Sequence, residues 1–442
     1  MPLWNLPQEF ALLVAPLAWN LQTRSEGRLH LLLVGVLFAS GRRTVAAWLR
    51  GFGVDAVFQP YYFFLSTLGR RAERIGNSLR GLVLRLIPEG CTIDLAIDDT
   101  PTERYGRCVE GCGRHRDPSP GPAGGKYLYG HVWTVAAIVV HHPGWGAIAL
   151  PLFGRLYIRR KDLATLSPKR NWVFETKIQH AVGFIESFGR WAAAKKWKAR
   201  VLVDGGYAAR AVLEAAKAAG LKVVSRLRRD AALFDVPRGP TGRRGRPRKY
   251  GPNVIDLAKR AGSRGGWTTE EVVLYGKPES KRYKTFLATW QPAGGAIRVV
   301  VVKEPDGRWA AFFTTELDAT AAQVLEAVSD RGAIEQCFHS VKEEVGAGQQ
   351  QVRHLWASIG AFNLCLWSYT LVEVWAWSRS ASELVDRSAS PWDDPQRRPS
   401  HADKRRALRR ACVRKEFEVL GFSGRNARKQ KAFVEKLFAI AA

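Results

Sequence analysis

Acidic residues in three separate segments have the types and surroundings of a metal-dependent catalytic site. Asp98 and Asp99 follow one aliphatic run, Asp204 follows a second, and Glu335 has an Arg four residues before it and a Lys seven residues after it. Carboxylate oxygens are preferred ligands of hard divalent cations, and two such cations can act together on a phosphodiester. We therefore expect one of the first two acids to hold metal together with Asp204 and Glu335.

The first two acidic segments are predicted to be buried strands that stop at a carboxylate. The runs 93–97 and 200–203 are rich in Ile, Leu and Val, which is typical of short strands covered on both faces. A charge without a partner is costly at such a position, so a carboxylate there favours a bound cation. The alternative is that Asp98 or Asp99 caps a turn through its side chain.

The third acidic segment is predicted to be one face of a helix. Arg331, Glu335, Phe338 and Lys342 stand at i, i+4, i+7 and i+11, and residues at these spacings share a helical stripe. We expect Phe338 to face the core and to draw the three charged residues toward the same cleft. There Glu335 would complete the metal site, and Arg331 and Lys342 would hold phosphates. The alternative is a surface ion pair between Arg331 and Glu335.

The composition favours a polyanion as partner. The 442 residues include 68 Lys and Arg against 40 Asp and Glu, giving a net charge of +28, and cations gain affinity for nucleic acid because they release its counterions. The alternative is a soluble protein that is merely basic. Six Cys without a regular framework and the lack of a basic signal segment predict a cytoplasmic protein with no membrane partner. The apolar run 359–377 is interpreted as a buried helix.

The order of predicted elements indicates an α/β fold. Strands and helices alternate as βββαβαβ from residue 92 to 226, which is the order of an RNase H-like core, although other α/β folds have the same spacing. We expect a β-rich insertion and helical N-terminal and C-terminal regions around this core. The predicted divisions are a helical N-terminal DNA-binding or oligomerisation domain (1–88), the first part of the core (89–235), a basic linker with the insertion (236–316), the helical part of the core with Glu335 (317–378) and a basic helical tail (379–442).

These motifs resemble those of the DDE transposases of bacterial insertion sequences. The similarity covers roughly residues 90 to 370: the segment 96–100, the segment 203–207, the R-x3-E-x6-K signature, and the β insertion before the Glu. Where the family often has Tyr three residues before the Arg this chain has Val328, and where it often has Trp after the Arg this chain has Gly332. A phosphate contact by that Tyr is therefore absent.

The resemblance implies an activity, a cofactor and a partner. In the family the acids bind two Mg²⁺ or Mn²⁺ ions, cut double-stranded DNA at the terminal inverted repeats of the transposon, and join the 3′ hydroxyls to target DNA. The Asp-x-Thr form of the first motif favours Asp98 over Asp99. We expect a homodimer on paired ends, in the bacterial cytoplasm and on the nucleoid when bound. The alternatives are an RNase H-like nuclease without strand transfer and a transposase-derived DNA-binding protein without activity.

Two further segments give weaker signals. The basic linker contains Arg243, Arg244, Arg246, Arg248 and Lys249 around an Arg-Gly-Arg-Pro core, a pattern that can lie in a narrow minor groove or touch phosphates without sequence preference. Separately, a zinc site could form from one group of thiol and imidazole side chains. Its members would be Cys108, Cys112 and His115, with His131 as a possible fourth ligand.

Overall fold

The structure is a computed structural model that describes residues 5–54, 56–116, 125–237, 248–388, 390–420 and 430. Its N-terminal region is helical, as expected, because apolar residues recur there at three- and four-residue steps. Thr44 caps the third helix, since its Oγ1 accepts a hydrogen bond from the Ala47 amide at 3.1 Å. The helices of this region are α1 (Gln8–Ala18), α2 (Thr23–Phe38), α3 (Val45–Gly51), α4 (Gln59–Arg70) and α5 (Ala72–Val83).

The core sheet confirms the predicted RNase H-like order. Three antiparallel strands come first and two parallel strands follow, so the core strands lie in the order β4-β3-β1-β5-β6, with β1, β5 and β6 parallel. A short strand, β2, pairs with the outer part of β3. The elements are β1 (Ile93–Glu103), β2 (Gly113–Arg116), β3 (Tyr127–His142), β4 (Gly146–Tyr157), α6 (Lys177–Ala194), β5 (Ala199–Val203), α7 (Arg210–Ala218) and β6 (Lys222–Leu227).

The β-rich insertion extends the core sheet. Its last strand pairs antiparallel with β6, in the register Ala311↔Leu227, so the described residues form one sheet of 12 strands. The insertion comprises β7 (Leu233–Phe234), β8 (Val254–Ile255), α8 (Leu257–Gly262), β9 (Thr268–Leu274), β10 (Lys277–Trp290), β11 (Gly295–Lys303) and β12 (Trp309–Thr314).

Further helices follow β12 along the chain. The first begins with a capping box, in which Thr320 and Gln323 satisfy each other's backbone amides. The second is long and apolar enough to cross a membrane, but 94% of its apolar window is buried inside the protein, which confirms the predicted buried helix. These helices are α9 (Ala321–Glu343), α10 (Leu355–Ala376), α11 (Ala381–Leu384) and α12 (His401–Leu420).

The prediction that the first strand stops at its carboxylate is wrong. Strand β1 continues through Asp98 and Asp99 to Glu103, because its antiparallel partner β3 is long enough to pair with it as far as Glu103↔Gly130. Its parallel partner β5 ends at Val203, one residue before Asp204, as predicted. The two motifs therefore meet where the parallel pairing ends.

Candidate active site

Asp98 and Asp204 are neighbours across two parallel strands. The last pair in the register of β1 and β5 is Ile97↔Val203, so Asp98 and Asp204 are the residues that directly follow this pair. Asp204 Oδ1 accepts hydrogen bonds from the amides of Gly206 at 3.0 Å and Tyr207 at 3.1 Å. These bonds fix the carboxylate in the turn after β5, at the carboxyl edge where α/β sheets place their ligands.

The adjacent acids Asp98 and Asp99 lie on opposite faces of the sheet, because successive side chains of a strand alternate. Asp98 Oδ2 accepts a hydrogen bond from Arg331 Nη1 at 2.7 Å, on the face covered by α9. Asp99 turns to the other face, where Lys177 Nζ donates to its Oδ2 at 2.7 Å and the Tyr207 hydroxyl donates to its Oδ1 at 3.1 Å. Only Asp98 of the two therefore shares a face with Glu335.

Helix α9 brings the charged stripe onto the Asp98 side of the sheet. Arg331 Nη2 donates to Glu335 Oε1 at 2.7 Å while Nη1 contacts Asp98. The ion pair between Arg331 and Glu335, which is the alternative interpretation of this stripe, is thus present, and it also includes the Asp98 carboxylate from the core strand. Phe338 is buried, as predicted. The Glu335 side chain is 62% exposed and that of Asp98 is 16% exposed, so this arrangement opens to solvent at the glutamate.

The electrostatics at Asp98 are governed mainly by its burial. Burial raises the pKa of Asp98 to about 6, and the charges of Asp204 and Asp99 add to this effect against the opposing effect of Arg331. Burial acts to lower the pKa of the Arg331 guanidinium, yet Asp98 and Glu335 raise it above its ordinary value. Arg331 is therefore positively charged, and its single charge does not fully offset the negative charges of the carboxylates around it.

The donor atoms of this site fit a divalent cation. Asp98, Asp204 and Glu335 offer only carboxylate oxygens, which hard cations prefer, and the charge of Asp204 acts on Asp98. Within the described part of the chain no three Asp, Glu, His or Cys side chains are already gathered as a ligand cluster. Arg331 contacts two of the three acids, Asp98 and Glu335.

Of the remaining residues predicted to bind phosphate, the structure describes Lys342, Arg248 and Lys249. Lys342 is seven residues after Glu335, about 10 Å farther along the helix axis, and lines a groove with Arg42 and Glu103. Arg248 and Lys249 are exposed at the end of the basic linker. The other three predicted linker residues, Arg243, Arg244 and Arg246, lie outside the described residues.

The thiols and imidazoles of the predicted zinc site do not come together as a ligand set. Cys112 Sγ contacts His131 Nε2 at 3.3 Å, but the Glu110 carbonyl oxygen also lies 3.0 Å from that nitrogen. Cys108 is exposed. No cluster of three possible ligands occurs here or elsewhere in the described ranges, and burial raises the pKa of Cys112 to about 12, so the thiol stays protonated.

Sequence reasoning missed the partners of Asp99. Lys177 is the first residue of α6, and nothing in its neighbours marks it as part of a site. Tyr207 belongs to the second acidic segment, yet its hydroxyl reaches the first segment. Burial, together with the charge of Asp99, raises the pKa of Tyr207, so the phenol remains a donor. These contacts give Asp99 two donors away from the Glu335 face.

The family of this chain is shown by a match to the DDE superfamily endonucleases over residues 16–277, more than half of its length. The chain therefore belongs to this family, and the resemblance found in its sequence motifs is confirmed at that level. The matched residues include both core aspartates, Asp98 and Asp204, and end before Glu335.

Comparisons with curated protein sequences and with solved structures give no further evidence of the activity of this chain. Comparison with curated protein sequences finds no relative of this chain. Among solved structures, the chain is similar to piggyBac transposase in a synaptic complex with hairpin DNA, with 13% sequence identity and a TM-score of 0.36, over 96% of this chain and 74% of that chain. A similarity this distant says nothing about the chemistry of the present chain.

Proposed function

We propose that this protein is a transposase, which cleaves DNA at transposon ends and joins the freed 3′ hydroxyls to target DNA. The observation that carries the proposal is the ion-pair bridge by which Arg331 joins Asp98 of β1 to Glu335 of α9, next to the end of β5 where Asp204 lies. Asp98 and Asp204 lie side by side at the end of the parallel strand pairing, and Arg331 connects Asp98 to Glu335. Membership of an endonuclease family is consistent with this chemistry.

Asp98, Asp204 and Glu335 are the residues that would hold Mg²⁺ or Mn²⁺. Two such ions, when bound, would supply an activated nucleophile and stabilise the leaving oxygen of the phosphodiester. The backbone amides of Gly206 and Tyr207 donate to Asp204 Oδ1 and restrain the carboxylate, which would leave Oδ2 for the metal. The solvent-facing position of Glu335 leaves room for a DNA strand to approach.

Arg331 has two roles in this proposal. Before DNA binds, its guanidinium neutralises Asp98 and Glu335 and keeps them close together. A phosphodiester bound beside these acids offers the same planar group an alternative acceptor, since Arg binds phosphate through paired hydrogen bonds. Lys342, farther along α9, would contact a neighbouring phosphate of the same DNA.

The DNA partner is supported by the charge of the whole chain, +28. The substrates in this proposal are double-stranded terminal inverted repeats and target DNA, held by a homodimer that pairs two ends. The N-terminal helices and the basic tail are the segments we assign to end recognition. Cleavage and joining would take place on the nucleoid in the bacterial cytoplasm.

Replacing Asp204 tests the proposal. We expect Asp204→Asn to abolish nicking of end-bearing DNA in Mg²⁺ while DNA affinity is retained, because the change removes a ligand charge without altering side-chain size. Glu214→Gln, an exposed position on α7, is the matched control and should cut normally. An Asp204→Asn enzyme that cuts as well as the wild type would show that the catalytic site lies elsewhere.

A joining assay separates transposition from simple cleavage. Pre-cleaved end DNA and a plasmid target are supplied together, and joined product is measured in Mg²⁺ and in Mn²⁺. A transposase should join, because the same metals must hold a 3′ hydroxyl and a target phosphate. Cleavage without joining in either metal would indicate a nuclease, and tight binding with neither reaction would indicate a protein that only binds DNA.

A further inference from the structure

Arg104, which directly follows β1, is a buried cation with an unsatisfied donor. The residue is 6% exposed. Nη1 donates to the carbonyl oxygens of Gly348 and Gln350, and Nε donates to His131 Nδ1 at 3.4 Å. Nη2 is buried without a hydrogen-bond partner in the described part of the chain. A buried donor left in this state costs free energy until something accepts from it.

The charge of Arg104 also lacks a counter-ion. No carboxylate of the described ranges forms an ion pair with it, and the acidic groups that act on its pKa are the thiols of Cys112 and Cys365. Burial raises the pKa of both thiols, that of Cys112 to about 12, so neither is negatively charged at neutral pH. Burial also lowers the pKa of His131, to about 3, so its imidazole adds no charge of either sign.

Arg104 lines a cavity of about 450 Å³ that has cationic walls. Three more arginines, Arg42, Arg107 and Arg353, line the same space, and its lining contains no Asp or Glu. We call this space the arginine cavity. Glu110, which lies nearby in sequence, is already bound by Arg170 and by the Leu355 amide. The cavity thus combines the buried guanidinium of Arg104 with the exposed guanidinium groups of the other three arginines at its rim. An anion bound in the cavity would offset both sets of positive charge.

The cavity adjoins a groove that contains Lys342 of α9. Arg42, Tyr105 and Gly348 line both the arginine cavity and the groove that contains Lys342. Arg104 is six residues beyond Asp98 along the chain, about 20 Å away if the strand geometry is extended to it. This separation is too large for the arginine cavity to hold the phosphate that is cut, but it suits a second contact with the same DNA.

We propose that the arginine cavity binds a phosphate group of the DNA backbone, away from the cleavage centre. That the phosphate group belongs to DNA rests on the proposed function, whereas the preference for a phosphate group rests on the cavity itself. Guanidinium groups bind phosphate oxygens through paired, charge-assisted hydrogen bonds. Here the rim arginines Arg42, Arg107 and Arg353 supply the donors, and the buried charge of Arg104 in the cavity wall attracts the anion.

The rim residues provide the test, because replacing buried Arg104 could prevent folding. Arg107 and Arg353 are exposed, and we compare Arg107→Glu/Arg353→Glu with Arg190→Glu/Lys217→Glu, a control of equal charge change at exposed positions of α6 and α7. Affinity for duplex end DNA is measured by fluorescence anisotropy in EDTA at several salt concentrations. We expect the rim variant to bind at least tenfold more weakly than the control, with the salt slope reduced by about 0.9 for each phosphate that the variant no longer neutralises.

Binding of inorganic phosphate is the second measurement that tests the arginine cavity. Calorimetric titration of the metal-free protein should show phosphate binding that the rim variant loses and the control keeps. Loss of phosphate binding with an unchanged DNA slope would overturn the assignment to DNA and identify free phosphate as the occupant. A rim variant that matches the control in both measurements would overturn the phosphate site altogether.

These measurements are independent of catalysis. They are made in EDTA, and Asp204→Asn should give the same slope as the wild type. If cleavage fails but the rim variant behaves as expected, the proposed reaction is wrong and the phosphate site stands. If cleavage is confirmed and the rim variant matches its control, the phosphate site alone is wrong.

Discussion

At the level of single residues, adjacent acids in this chain acquire different partners. Asp98 meets Arg331 on α9, whereas Asp99 meets Lys177 on α6 and the hydroxyl of Tyr207. The cause is the alternation of side chains along an extended strand, which sends neighbours to opposite faces. Asp98 therefore shares a face with Glu335, and Asp99 lies on the opposite face.

Conservative replacements of Asp98 and Asp99 should lower the rate of cleavage by different amounts. In Mn²⁺ we expect Asp99→Asn to lower cleavage about 10- to 100-fold, as loss of an outer-shell partner typically does. Asp98→Asn should lower it further, because a proposed ligand is lost. Cleavage rates on end-bearing DNA measure both effects, and circular dichroism checks that each variant is folded. A silent Asp98→Asn beside an inactive Asp99→Asn would reverse the assignment.

At the level of secondary structure, α10 is the buried helix against which other parts pack. It contacts α4 without space for side chains at the crossing point. A Cβ at Gly360 would overlap the Leu65 carbonyl oxygen, and one at Gly69 would overlap that of Trp356. The two glycines therefore let the helix backbones touch, and α10 holds the N-terminal helices against the core.

Adding one methyl group should force these helices apart. We expect Gly360→Ala to lower the free energy of unfolding by about 1–3 kcal/mol or more, since overpacking shifts backbone. Gly81→Ala is the control: it lies in α5 with nothing within 4 Å of its added Cβ and should stabilise by about 0.5–1 kcal/mol through helix propensity. Urea unfolding measures both, and equal effects of the two changes would show that the close crossing is absent.

A second contact of α10 holds the C-terminal helix. Glu373 Oε2 accepts a hydrogen bond from Lys404 Nζ at 2.5 Å, and Oε1 lies 2.8 Å from His401 Nδ1. Glu373 and Lys404 are both buried. Burial alone would raise the pKa of Glu373, but Lys404 and His401 bring it down to about 2. The carboxylate is therefore ionised in the fold and joins α10 to α12.

Neutralising Glu373 should cost stability in a pH-dependent way. At pH 7 we expect Glu373→Gln to lower the free energy of unfolding by about 3–5 kcal/mol, because Lys404 is left buried without its carboxylate. A carboxylate with a lowered folded pKa stabilises above its unfolded pKa of 4.5 and loses that effect as pH falls toward about 2. The difference between wild type and variant should therefore shrink between pH 4.5 and 2. Denaturation at pH 7 and pH 3 measures it, and a difference that stays constant would contradict the ion pair.

Over the molecule as a whole, positive charge is present in several separate regions. One is the arginine cavity, and another is the linker that includes Arg248 and Lys249. A protein that binds DNA through several such regions should show a steep dependence of affinity on salt, because each neutralised phosphate releases counterions. The contribution of any one region can then be found from the slope.

The linker can be tested in this way. Replacing Arg243, Arg244, Arg246 and Arg248 with Ala should lower the salt slope of end-DNA binding by about 0.9 for each phosphate that they neutralise. The control replaces four exposed cations of the α6–α7 region with Ala: Arg190, Lys195, Lys198 and Lys217. An unchanged slope in the linker variant would show that the linker does not touch DNA.

The order of the elements and the local geometry within each one follow from the amino-acid sequence alone. Aliphatic runs indicate the strands, and helical spacing places Arg331 and Glu335 on one face of α9, since these signals depend only on neighbours along the chain. The same reasoning ends β1 too early, at Asp98, because the length of a strand depends on its partner as well as on its own residues.

Which groups from distant segments meet depends instead on the tertiary structure. It places Arg331 between Asp98 and Glu335, brings Lys177 to Asp99, and leaves Arg104 buried without a counter-ion in the described part of the chain. No local pattern encodes these contacts, because they depend on which faces of the sheet α6 and α9 cover and on where the loop after α9 returns to β1. The acids are visible in the sequence, but the charges that surround them come from the packing of whole elements.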